Sequence, residues 1–167
     1  MQSGVILRSA RLEELRWINE RYAEVGFVPS TLEHEIVIVA EIDGERAGIG
    51  RLVDIDEHAC ELGGMLVFER FRGRGVSRAI IDALLARANG RDVFCIPFAE
   101  LEALYAGAGF ARTDDAPPKV LEKFAWCQRT YDKPVLLMFR SAVAKPPLSD
   151  PDGRAAALPP HTETHQR

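Results

Sequence analysis

The chain is short of cysteine, of basic excess and of long apolar runs, and each shortage removes a class of protein. Its three cysteines, Cys60, Cys95 and Cys127, are an odd number, widely spaced, with no CxxC pair and no histidine at ligand spacing. Neither a disulfide framework nor a zinc site follows from them, no metal is expected, and the thiols are expected to fill the interior as small apolar groups. No stretch approaches the roughly 18 to 20 uninterrupted apolar residues that a membrane helix requires. The opening Met1-Gln2-Ser3-Gly4 does not read as a signal peptide. A cytoplasmic protein without a membrane partner is therefore expected. With 21 Lys+Arg against 25 Asp+Glu the formal net charge is −4, whereas neutralising several phosphates needs clustered cations. A nucleic-acid partner is not expected, and the one dense arginine cluster, Arg70 to Arg78, needs a local explanation.

What is present is one domain's worth of core-forming material, 167 residues of which 47% are apolar. Composition changes near Ala142. From there to Arg167 the chain holds half of its ten prolines and two of its four histidines, with few large apolar residues. The expected division is a folded domain over 1–142 and a flexible Pro-rich tail over 143–167.

Within the domain the elements alternate in type. Val5-Ile6-Leu7 reads as a strand, and Ser9 as the cap of a helix carrying Leu12, Leu15, Ile18 and Tyr22 until Gly26. Ile36 to Glu41 and Arg46 to Ile55 read as strands joined by an Asp43-Gly44 hairpin turn. Glu61 to Val67 is a further strand, and Val76 to Ala88 an apolar helix. Val93 to Phe98 reads as a strand, Glu100 to Ala108 as a helix, Phe110 to Thr113 as a strand, Pro117 to Thr130 as a helix and Val135 to Phe139 as the last strand. Hairpin-linked strands followed by strands separated by helices predict an α/β (α+β) domain with a mixed, mostly antiparallel sheet of about six to seven strands flanked by helices.

The most informative stretch runs from Leu66 to Ser77, where a strand passes through a Gly and Arg loop directly into a helix. The first amides of a helix lack intrahelical acceptors, the macrodipole adds positive potential, and glycine admits a phosphate to the backbone. GxxxxGK[ST] is absent, so a pyrophosphate fits better than a single nucleotide of a Walker loop, and the Rossmann pattern fails because the third glycine of GxGxxG would fall at Arg78. A purely structural turn is the alternative. Gly63-Gly64, inside an otherwise apolar strand, reads as a bulge or a close backbone approach.

Arg70-Phe71-Arg72-Gly73-Arg74-Gly75 resembles the (Q/R)xxGx(G/A) signature of the GNAT superfamily of N-acetyltransferases. Downstream, Leu104-Tyr105-Ala106-Gly107-Ala108-Gly109-Phe110 resembles that family's LYxxxGF segment. The resemblance covers roughly Val5 to Phe139. It implies a splayed fourth and fifth strand, with acetyl-CoA as cosubstrate in the opening. The implied cofactor contacts are Met65, Leu66, Val67, Arg70, Arg72, Gly73, Arg74, Gly75, Val76 and Ser77. The implied activity is transfer of an acetyl group to a primary amine of a small molecule or peptide, by direct attack in a ternary complex. A non-catalytic acyl-CoA-binding module is the alternative.

Such a transfer needs a base for the amine and an acid for the departing thiolate. Tyr105 resembles the family's general acid, although its place on the stripe Leu101, Leu104, Ala108 also suits a core tyrosine. Glu61 stands where some branches carry a catalytic glutamate, and alternation puts Glu61, Gly63, Met65 and Val67 on one face; a solvated charge at a strand end is the other reading. Two departures are visible. Glu69 replaces a frequent proline, and Ile96-Pro97-Phe98-Ala99 contains no asparagine after the fifth strand. The resemblance directs acceptor recognition to Glu20 through Pro29, where Arg21, Glu20 and Glu24 suit a small zwitterion or simply a charged helix face. The inserted helix 117–130 can lid the acceptor pocket, pack as a satellite core or support a homodimer.

Overall fold

In the computed structural model, which describes residues 4–142, the apolar stretches pair into one seven-stranded sheet. The strands are β1 (Ile6–Ser9), β2 (Glu35–Ile42), β3 (Glu45–Asp54), β4 (Ala59–Val67), β5 (Asp92–Cys95), β6 (Ala111–Arg112) and β7 (Met138–Arg140). Their order is β1-β2-β3-β4-β5-β7-β6, with β4 and β5 parallel and every other pair antiparallel. Four helices flank it: α1 (Leu15–Glu24), α2 (Val76–Leu85), α3 (Glu102–Gly107) and α4 (Pro118–Thr130). The expected fold class is the observed one. The tail expected over 143–167 lies outside the described residues, among which no helix is long and apolar enough to cross a membrane.

Strand alternation assigns each helix to a face. Leu52, Cys60, Leu62, Val93 and Cys95 point to one side, where they bury Ile80, Ile81 and Leu84 of α2 and Tyr105 of α3. Fully burying an aliphatic side chain of this size contributes about 2 kcal/mol, so α2 is fixed tightly to the sheet. On the other side Ile49 packs with Ile18 and Tyr22 of α1, and Ala59 and Phe94 pack with Val120 of α4. All three cysteines are buried and unpaired, and desolvation pushes the Cys60 thiol up to about 11.

Several local expectations change. Ser9 does not cap a helix; it ends β1, and its hydroxyl accepts from Arg87 at 2.9 Å. A 3-10 turn at Leu12–Glu14 precedes α1 instead, and Glu14 accepts the Arg11 N–H at 3.0 Å. The last strand starts three residues later than predicted, because Val135 bridges Phe98 rather than joining β7. More consequential is β4. Arg51 pairs with Gly63 but Ile49 with Leu66, so an extra residue enters β4 around Gly64, whose φ is +57°. This bulge reverses the alternation. Glu61 and Gly63 do not share a face with Met65 and Val67, which pack with the α2 layer while Leu66 turns toward α1.

Glu14 anchors the start of α1. Its buried carboxylate accepts from Arg8 at 2.6 and 3.0 Å and pairs with Arg46 at 3.0 Å. The Arg8 hydrogen bond is the main cause that lowers its pKa from 4.5 to about 2. A folded-state value below the unfolded one stabilises above the unfolded pKa, and that contribution disappears as pH falls from about 4.5 toward 2. The shift corresponds to about 3 kcal/mol. Glu14→Gln is therefore expected to lower stability at pH 7 and to flatten its decline between pH 5 and 3, read from urea midpoints across that range.

Candidate active site

β4 and β5 pair only from Ala59 opposite Asp92 to Leu62 opposite Cys95. Beyond that point they diverge, and the Pro97 carbonyl accepts from Leu136 N at 2.8 Å, which holds the departing end of the β5 segment. Two cavities open in the gap and share Phe27, Met65, Phe98, Leu101 and Tyr105 as walls.

The first is a groove along the end of β4 and the start of α2. Met65, Leu66, Val67, Arg72, Gly73, Gly75, Val76 and Ser77 all line it, together with Arg78 and Lys133. Gly75 occupies the N-cap position of α2 with φ +76°, and no side chain caps the helix. Gly73 adopts φ +77°, and no atom approaches the Cβ position of either glycine within 4 Å. A side chain at either position would be strained, and the uncapped amides face open space suited to an anion. Arg70 and Arg74, also expected as contacts, are not among these walls. Arg70 pairs with Glu45 and lies 5.2 Å from the Phe71 ring, and Arg74 lies 5.9 Å from the same ring. Arg78 forms an i,i+4 pair with Asp82 at 3.0 Å.

The second cavity lies between the bulged part of β4, the loop after β5 and α4, with Glu61, Arg51, Lys123, Trp126 and Tyr131 in its walls. Tyr105 is 3% exposed and reaches both cavities. Its ring meets Phe110 edge-on at 5.8 Å, and its hydroxyl makes no hydrogen bond among the described residues. Burial is the main cause that raises its pKa, with Cys95 adding to it, so the phenol keeps its proton at neutral pH. Glu61 is not a solvated strand end. It is 7% exposed, and Lys123 Nζ donates to its Oε1 at 2.5 Å.

Gly64 holds these parts in register. A Cβ there would lie 2.5 Å from Tyr22 Oη and 2.9 Å from Arg51 Nε, and the Tyr22 hydroxyl donates to the Gly64 carbonyl at 2.8 Å. Any side chain would displace both neighbours, on top of the strain of a positive φ.

Three features of the region differ from their sequence reading or were not visible in it. Arg21 does not reach this cavity; it pairs with Glu24 at 2.8 Å and lines a separate hollow beside Arg8 and Arg46. Phe27 and Val28 of the same segment do line it. Lys123 and Arg51 emerge only in three dimensions, although Arg51 had a signal: a lone arginine on the same parity as the core residue Ile49. The inserted helix α4 packs Val120 into a satellite core, one of its expected roles, and its Lys123, Trp126 and Cys127 wall the cavity.

A family model described as the acetyltransferase (GNAT) family matches residues 7–110. The chain belongs to the GNAT acetyltransferase family. No curated protein matches the sequence. Solved GNAT-like structures share its fold at low identity. A Mycobacterium tuberculosis protein, Rv2747 in complex with CoA and NLQ, superposes with TM-score 0.67 at 20% identity, over 81% of this chain and 98% of that one. A GNAT family acetyltransferase from Elizabethkingia anophelis with acetyl-CoA bound gives TM-score 0.60 at 14% identity, over 82% and 97%. N-acetylglutamate synthase from Neisseria gonorrhoeae, complexed with coenzyme A and L-arginine, gives 0.64 at 14%. There the match spans 83% of this chain but only 33% of the synthase.

Proposed function

We propose that this GNAT protein is an acetyl-CoA-dependent N-acetyltransferase that acetylates a primary amine within a ternary complex. The observation that carries the reading is that the groove at the α2 N-terminus and the cavity holding Glu61 meet at Tyr105. Relatives of the same fold are described with CoA or acetyl-CoA, and the local donor set suits that ligand. Free amides of Gly75 to Ser77 together with Arg72 provide geometry and charge for a pyrophosphate, and the edge of Met65 to Val67, free of a β5 partner, suits an extended amide-bearing arm.

Bound acetyl-CoA would supply a thioester whose carbon–sulfur bond is exchanged for an amide carbon–nitrogen bond, with coenzyme A leaving as the thiol. Glu61 Oε takes a proton from the incoming ammonium, and Lys123 holds that carboxylate at the cavity wall. Tyr105 Oη, which makes no hydrogen bond among the described residues, donates a proton where the two cavities join.

Acetyl-CoA at about 100 times its dissociation constant is expected to add about 2.7 kcal/mol to stability, a rise in Tm of several degrees by scanning fluorimetry. No rise at saturation contradicts cofactor binding. Glu61→Gln is expected to lower kcat/KM by at least about 100-fold at pH 7. The loss should shrink toward pH 9, where more of the amine is already neutral; a pH-independent loss removes Glu61 as the base.

A further inference from the structure

Arg51 is a cation inside the fold with no carboxylate paired to it among the described residues. It is 5% exposed, its Nη2 donates to the Val28 carbonyl at 2.8 Å, and its Nε has no partner. No carboxylate among the described residues forms a salt bridge with it. A guanidinium stays charged in any protein environment, and a buried charge is ordinarily paired. The Tyr22 ring, 4.8 Å from its centre, offsets only part of that cost.

The charged side chains around the second cavity are Arg51, Glu61 and Lys123. Glu61 and Lys123 neutralise each other, so the cavity keeps one uncompensated positive charge. Its position is informative. Arg51 pairs with Gly63 and Val53 with Glu61 across β3 and β4, so Arg51 and Glu61 are diagonal neighbours on one face of the sheet, with Cβ atoms about 7 Å apart by ordinary sheet geometry. A ligand whose anionic group and amine are separated by one carbon can face both. The opposite wall is aromatic. Tyr131 contacts Phe27, Phe98 and Trp126 edge-on, with ring centroids 6.3, 5.5 and 5.8 Å away.

We infer that the acceptor is an α-amino acid with a large apolar or aromatic side chain. Arg51 takes the α-carboxylate, Glu61 faces the α-amine and the Tyr131 cluster holds the side chain. The inference rests on the acetyltransferase reading for the fate of the amine, but the carboxylate site itself can be measured without turnover.

The test is a matched pair of ligands on the full chain. N-acetyl-L-phenylalanine and N-acetyl-L-phenylalaninamide are titrated calorimetrically into protein saturated with coenzyme A, and L-phenylalanine, its amide and L-glutamate are compared as acceptors by thiol release. The acid is expected to bind at least about 30-fold more tightly than the amide, the range of a desolvated charge pair. L-phenylalanine should surpass both L-phenylalaninamide and L-glutamate in kcat/KM. Arg51→Met, checked for folding by its acetyl-CoA-dependent rise in Tm, should reduce the acid-to-amide ratio to below about 3. The wild-type comparison stands even if that variant does not fold. Equal binding of acid and amide, binding of neither, or a preference for L-glutamate overturns the inference. Selective binding of the acid without thiol release supports the carboxylate site and contradicts the transferase reading. Thiol release from acids and amides alike does the reverse.

Discussion

Tyr105→Phe is expected to lower kcat by about 100- to 10,000-fold, the range of a lost general acid, while moving Tm by no more than about 2 °C. The two halves of this result come from one observation. The Tyr105 ring is buried against Phe110, and phenylalanine keeps that packing. The hydroxyl makes no hydrogen bond among the described residues, so its removal leaves no buried donor or acceptor without a partner. A tyrosine retained for the core would give the opposite pattern, an unchanged rate. The raised pKa, caused mainly by burial, has a further consequence: the acid does not titrate between pH 6 and 9, so the tyrosine should leave no alkaline limb in the kcat profile of the wild type.

Gly50→Val is expected to have the largest effect on stability, a loss of about 4 kcal/mol and a fall in Tm on the order of 12 °C. Gly50 lies in β3 beneath α2, where a Cβ would stand 2.4 Å from Ile80 Cγ2, 2.7 Å from Met65 Sδ and 3.2 Å from Leu84 Cδ1. Ile80 and Leu84 are fully buried, so the added carbons can be accommodated only by lifting α2. That same helix presents the uncapped N-terminus of the proposed cofactor groove, and affinity for acetyl-CoA should fall together with stability. Gly63→Ala is the control. Its nearest neighbour, Glu61 Oε1, is 3.5 Å from the Cβ position, and its Tm is expected to stay within about 2 °C of the wild type.

Parts of the site were legible in the sequence where its chemistry is local. The turn of the proposed cofactor groove is encoded by contiguous residues, Arg72 to Ser77, because the glycines, the strand end and the helix start are adjacent in the chain. The place of Tyr105, the proposed acid, between the two cavities agrees with the segment that singled it out. The β4 bulge was visible only as a glycine pair, and its effect was not, because one inserted residue moves Met65 and Val67 to the α2 face. Partners distant in sequence were also hidden. Lys123 meets Glu61 across 62 positions, and Arg51 reaches Val28 across 23; both contacts depend on how α4 and the loop after α1 settle on the sheet. Strand ends moved where pairing rather than propensity decides them, as with Val135, whose β-branched side chain suits a strand although its backbone only bridges Phe98.

In the proposed reaction one cavity system brings an acyl thioester and an amine together for direct transfer. Its most direct test is mass spectrometry of the acceptor, with parallel detection of free thiol, when acetyl-CoA and a panel of amino acids and their amides are incubated with the full chain and with Tyr105→Phe. Direct transfer requires amine-dependent thiol release matched one for one by acetylated acceptor, with no acetyl group retained on the protein, and a rate lowered by at least about 100-fold in the variant. Acetyl-CoA binding without amine-dependent thiol release, or equal rates for the two proteins, would contradict it.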